Sequence, residues 1–198
     1  MADFSEALKN IQETIMQDPR NLAYTSRGIL PIWQIHEHAK ILIVGQAPGR
    51  KVEESGIPFH DQSGDRLMQW LGIDSTVFYS EAVAIMPMDF YYPGKGKSGD
   101  LPPRKFVAPE YHARLLSLMQ EITLKVLIGK YSVDYYLRDS KKENLTGTVA
   151  AYQDYLPACF PIVHPSPLNI RWRKMHPWFE EEVVPALQRR VKEALENQ

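Results

Sequence analysis

Apolar runs four to six residues long, each stopped by Gly, Pro or a polar turn, alternate along this chain with stretches whose apolar residues recur every three or four positions. Continuous apolar runs suit strands buried on both faces, and the longer period suits helices with one apolar side. Ile41 to Val44, Leu124 to Gly129 and Phe160 to Val163 read as buried strands. Val77 to Met86 reads as another, with Tyr79, Glu81 and Val83 on one face and Ser80, Ala82 and Ala84 on the other. Helices are predicted from Asp3 to Gln17, from a Ser63 cap to Leu71 with Gly72 closing it, over Pro109 to Ile122, over Tyr131 to Leu137, and from Pro177 onward with a kink or restart at Pro185. Asn21 to Ile35 has no clean period; a short helix is expected near Trp33 to His38 and a short edge strand at Thr148 to Ala151. This order predicts an α/β fold, an open and mostly parallel four-stranded sheet between helices.

Composition narrows the classes. At 198 residues and 44% hydrophobic content, one domain spanning residues 1–198 is expected. A formal charge of −1 gives no global basic field, so a nucleic-acid surface would have to be a local patch. Cys159 stands alone, which excludes an internal disulfide, a four-thiolate cluster and a thiolate zinc site; no cofactor is expected. His36 and His38, two apart, make poor metal partners. The start, Met1-Ala2-Asp3-Phe4, has no leader pattern and no apolar run approaches membrane-spanning length, so a cytoplasmic monomer away from membranes is the expectation.

Two strand ends carry the candidate chemistry. Ile41 to Val44 opens into Gly45-Gln46-Ala47-Pro48-Gly49, and Phe160 to Val163 into His164-Pro165-Ser166-Pro167-Leu168-Asn169. In open α/β sheets the ligand crevice lies at the carboxyl ends of strands, where glycine lets backbone approach a ligand. Phe59, in a Pro-preceded loop after the first turn, is a candidate to stack on a flat base, and the long loop from Pro87 to Lys105 interleaves tyrosines with cations as a nucleic-acid strand would require. Glu81, a carboxylate within an apolar strand, is the odd residue.

The order and spacing of these motifs resemble the uracil-DNA glycosylase superfamily from Lys40 to roughly Pro185. The chain is most similar to the thermostable bacterial type with a GxAPG first motif, and its HPSPLN segment is similar to that of the archetypal uracil enzymes. The resemblance implies a three-layer α/β/α sandwich and a damaged base, uracil or another deaminated one, flipped from DNA for hydrolysis of its N-glycosidic bond in base excision repair. It implies His164 as hydrogen-bond donor to the leaving base, Gln46 and Ala47 around the attacking water, and Gly45, Phe59 and Glu81 about the base. It implies Leu168 as the wedge in a DNA-binding loop of Pro165, Ser166, Pro167, Leu168 and Asn169, with Arg171, Arg173 and Lys174 on phosphates.

The chain also departs from the family. Ala47 stands where archetypal members carry an aspartate, Gln46 where the thermostable type often carries a glutamate, and Glu81 where the family's base-reading asparagine aligns; the iron–sulfur cysteines are missing. Asp61 and Asp65 are fallback carboxylates. A binder of damaged or single-stranded DNA that kept the pocket without catalysis, and an enzyme acting on a free nucleoside, are the competing expectations.

Overall fold

Four strands form one sheet in the order β2-β1-β3-β4, every neighbouring pair parallel: β1 Ile41–Val44, β2 Val83–Ile85, β3 Leu124–Ile128 and β4 Cys159–Ile162. The computed structural model describes residues 3–196; Met1 and Ala2, which begin the segment read as leaderless, and the last two residues of the expected 1–198 domain lie outside the described residues. Because successive side chains point to opposite faces, the strands split into two cores. Ile41, Ile43, Val83, Ile85 and Val126 face Trp70, Leu71, Phe179 and Leu187, whereas Leu42, Val44, Ala84 and Leu127 face Ile11, Ile15, Tyr111 and Leu115. Each fully buried residue of this kind is worth about 1.5–3 kcal/mol relative to exposure. Both faces are thus covered by helices, and the predicted three-layer α/β/α sandwich is what forms, with an all-parallel sheet.

α1 (Phe4–Gln17) lies on one face; α4 (Gln62–Leu71) and α10 (Val184–Glu196) lie on the other. Between α1 and α4 come a short α2 (Leu22–Thr25) and α3 (Arg50–Ser55), and α5 (Ser75–Phe78) precedes β2. Further along are α6 (Ala113–Leu116), α7 (Gly129–Tyr136), α8 (Leu145–Ala150) and α9 (Ile170–Met175). The C-terminal helix restarts at Pro185 as predicted: a π-helical turn over Phe179–Val183 runs into α10, where proline fits the first turn. No described helix is long and apolar enough to cross a membrane.

Several predicted boundaries are corrected by local hydrogen bonding. The strand expected over Val77 to Met86 shrinks to Val83–Ile85, because Asp74 accepts from the Val77 N–H and folds Ser75–Phe78 into a helical turn. Asp61, not Ser63, caps α4, its Oδ1 accepting from Ser63 N at 2.9 Å and Gly64 N at 3.0 Å. Thr148 to Ala151 is not an edge strand; Asn144 caps α8 there through the Gly147 N–H. The helix expected to reach Ile122 ends at Leu116, after a π-helical turn over Ala108–His112. Nor is Trp33 to His38 helical: Gln34 pairs antiparallel with Ile85, N–H to C=O in both directions at 2.8 and 2.7 Å. That pairing covers the open edge of β2, whose backbone groups would otherwise be orphaned.

Candidate active site

The carboxyl ends of β1, β2 and β4 converge on a cavity of about 180 Å³. This is smaller than the roughly 300–1,000 Å³ of sites for drug-sized molecules and suits one flat heterocycle. One wall is the turn after β1, with Gly45, Gln46, Ala47 and Gly49; facing it are Phe59, Asp61 and Ser63, and Ile85 with Pro87 from β2. His164 and Ser166 close it from β4, and Asp100 reaches in from the loop after β2.

Phe59 is locked in place by two glycines. A Cβ on Gly45 would sit 3.0 Å from the Phe59 ring tip, and one on Gly64 would sit 1.7 Å from the Phe59 carbonyl oxygen. The ring therefore lies directly over the β1 turn, and the start of α4 approaches its backbone more closely than any side chain permits. Phe59 itself holds φ at 55°, a left-handed conformation costly for a non-glycine residue. The donated Tyr79 hydroxyl bond to the Pro58 carbonyl, 3.0 Å, and the edge-on packing of Phe78 against the ring hold that conformation.

His164 has an assignable tautomer. Its Nδ1 accepts the Ser166 backbone N–H at 3.1 Å, so in the neutral ring the proton sits on Nε2. Burial pushes the imidazole below the usual histidine range, while the charge of Asp61 pulls the other way. The Asn169 amide donates to the His164 carbonyl at 2.8 Å, and Ser166 Oγ accepts the Leu168 N–H at 3.2 Å, which folds Pro167–Asn169 into a 3-10 turn. Leu168 projects from that turn 85% exposed.

Asp61 is one of the two carboxylates that the motif comparison offered only as fallbacks. Capping α4 uses Oδ1 alone, and Oδ2 has no hydrogen bond among the described residues while the residue lines the cavity. Pro87 brings a second buried element. Its carbonyl accepts from His112 Nε2 at 3.1 Å, and His112 Nδ1 takes the Tyr136 hydroxyl at 2.8 Å. His112 is 1% exposed, and desolvation lowers its pKa to about 4. Met88 N–H donates to the Gly45 carbonyl and Asp89 N–H to that of Gln46, strapping the β2 exit to the β1 turn.

Gly45, Gln46, Ala47, Phe59, His164 and Ser166 are therefore brought together as the motifs predicted. Pro165 is buried behind them, while Pro167, Arg171 and Lys174 are exposed beside Leu168. Two predicted residues are not in place. Glu81 is an exposed turn residue before β2, at the amino-terminal end of the sheet; the shortened strand removes it from the cavity. Arg173 turns inward, pairing with Glu180 at 2.8 Å and lying over Trp70, so it is not placed to meet a phosphate. Asp100 and Pro87 were missed; a lone aspartate among glycines and a proline after a strand carry no signal until the chain is folded.

A solution NMR structure of a Methanosarcina acetivorans protein, named provisionally a uracil DNA glycosylase, matches 79% of this chain and 93% of its own at 13% identity and a TM-score of 0.47. The model of the uracil DNA glycosylase superfamily matches residues 32–188, from the segment before β1 into α10 and across every cavity-lining element described above. The chain belongs to the uracil DNA glycosylase superfamily.

Proposed function

We propose that this chain is a monofunctional DNA glycosylase that flips a deaminated base into the cavity and hydrolyses its bond to the sugar, acting as a cytoplasmic monomer. The observation that carries this reading is the pairing, across a one-base cavity, of an imidazole whose Nε2 bears the proton with Asp61. Uracil, hypoxanthine and xanthine each present a carbonyl beside a ring N–H, an acceptor next to a donor. His164 donates to the carbonyl oxygen, where negative charge grows as the base departs. Asp61, an acceptor when ionised, takes the N–H in the role that Glu81 cannot fill.

Phe59 stacks on the extruded base. Extrusion costs about a few kcal/mol, and an apolar wedge offsets part of it by filling the gap in the stack. Leu168 is that wedge, since an 85% exposed leucine does nothing for the core. Arg171 and Lys174 beside it meet phosphates, while Gln46 and the Ala47 backbone hold the attacking water. Bond cleavage across duplexes carrying uracil, hypoxanthine, xanthine or oxidised pyrimidines tests the reading: an abasic product is expected from at least one deaminated base, and none at stoichiometric protein would refute it. Ala47, with no acid on the turn, favours a second reading, a lesion binder without catalysis, which salt-sensitive lesion binding with no abasic product would select.

A further inference from the structure

The loop from Pro87 to Lys105 is not irregular throughout. Its centre is a small hairpin in which Lys95 and Asp100 form an antiparallel bridge, Gly96 N–H donates to the Gly99 carbonyl and Leu101 N–H to that of Gly94, each at 2.8 Å. Gly94 and Gly99 hold φ at 106° and 92°, values that the reversal needs and other residues resist. The two ends of the loop are pinned by Asp89, fully buried, which accepts from the Arg104 N–H at 2.9 Å and from its guanidinium at 2.8 Å. Gln46 reaches the Leu101 carbonyl at 3.5 Å, tying the hairpin to the β1 turn.

This architecture delivers one carboxylate to the cavity. Asp100 lines it, and its Oδ2 lies 3.9 Å from where a Cβ on Gly49 would be, at the far end of the turn that carries Ala47. Oδ1 accepts the Tyr92 hydroxyl at 3.2 Å and lies 3.9 Å from Lys95 Nζ, which orients the group and offsets part of its charge, and Oδ2 has no hydrogen bond among the described residues. An anion at the mouth of a site for a polyanion opposes binding of the phosphate chain. Its use lies in the reaction, where positive charge develops on the sugar and a water must lose a proton.

We propose that Asp100 is a catalytic residue, supplying from the hairpin the carboxylate that the β1 turn lacks. The inference rests on the glycosylase reading. The N–C1′ bond breaks with its electron pair leaving on the base, whose carbonyl oxygen is held by His164. The oxygen of water bonds to C1′, and a water proton passes to Asp100 and then to the departed base anion, regenerating the carboxylate. Asp61 reads the base, so the two carboxylates separate by their signatures: Asp61→Asn alters which lesion is preferred, whereas Asp100→Asn slows every lesion alike.

The test is single-turnover cleavage of each lesion that the wild type excises, with affinity for uncleaved lesion duplex measured separately. Asp100→Asn, which keeps the Tyr92 hydrogen bond, should slow cleavage about 10²–10⁴-fold, the range of a placed general base, with affinity undiminished. Ala47→Asp in the Asp100→Asn background should restore at least about a tenth of the wild-type rate, the fraction expected if the same chemical group acts from the other wall. A single-variant rate within about threefold of wild type, a loss confined to one lesion, or a loss that the second substitution leaves untouched overturns the proposal. A wild type that cleaves no lesion would instead remove the glycosylase reading, an outcome separable from these because it appears before any substitution.

Discussion

Acid should weaken this fold through His112, and the size of the effect follows from its surroundings. The ring is 1% exposed, donates Nε2–H to the Pro87 carbonyl and accepts the Tyr136 hydroxyl at Nδ1. Protonating Nδ1 would set two donors against each other in a site that water does not reach, and desolvation accordingly lowers the pKa from 6.5 to about 4. Between those values the unfolded chain binds the proton and the folded chain does not, so stability rises with pH across that window and falls as acid is added. At about 1.4 kcal/mol per pH unit, the interval corresponds to a loss of about 3 kcal/mol between pH 7 and pH 4, levelling off below. That is a large part of the 5–15 kcal/mol typical of a folded domain. Urea unfolding from pH 7.5 to 4, on wild type and on His112→Gln, isolates the contribution, because glutamine can donate to Pro87 and accept from Tyr136 without titrating. Every other titrating group, His164 included, is common to both proteins and cancels. The variant should lose about 3 kcal/mol less than wild type over the window; parallel curves for the two proteins would refute the assignment. Since Pro87 lines the cavity, base excision should decline over the same acidic range.

Three further outcomes are expected. Removing the donor with His164→Ala should lower the single-turnover excision rate about 10²–10³-fold while lesion affinity stays within a few-fold; equal losses in rate and affinity would argue for a role in binding instead. Leu168→Ala should leave stability within about 0.5 kcal/mol, given its exposure, yet weaken binding to lesions in duplex DNA more than in single strands, because only a duplex has a stack to wedge; comparable weakening on both would count against a wedge. Glu81→Asn should leave the lesion profile unchanged in the same oligonucleotide panel, and a shift towards uracil would show that the β2 exit is misplaced.

The polar residues between the strands explain why some boundaries could not be read in advance. Val77 and Phe78 have strand-forming side chains, but Asp74 three residues before Val77 offers its N–H a cap, and the local bond prevails where no neighbouring strand is available to pair. The same competition moved the α4 cap from Ser63 to Asp61 and turned Thr148 to Ala150 into helix. Glu81 shows the functional consequence. Its assignment depended on the length of β2, so a strand shortened to three residues carried the supposed base reader to the opposite end of the sheet.

What the amino-acid order determined by itself is the layered sheet and the two motif ends, because long apolar runs have few ways to bury both faces and a parallel sheet sets its carboxyl ends side by side. Gly45 to Gly49 and His164 meet for that reason. Only the folded chain decided which carboxylates join them. Asp61 and Asp100 lie 15 and 54 positions beyond Gln46 with no periodicity to mark them, and they arrive through a helix cap and a glycine-closed hairpin, devices whose geometry is set by backbone hydrogen bonds that local composition does not announce.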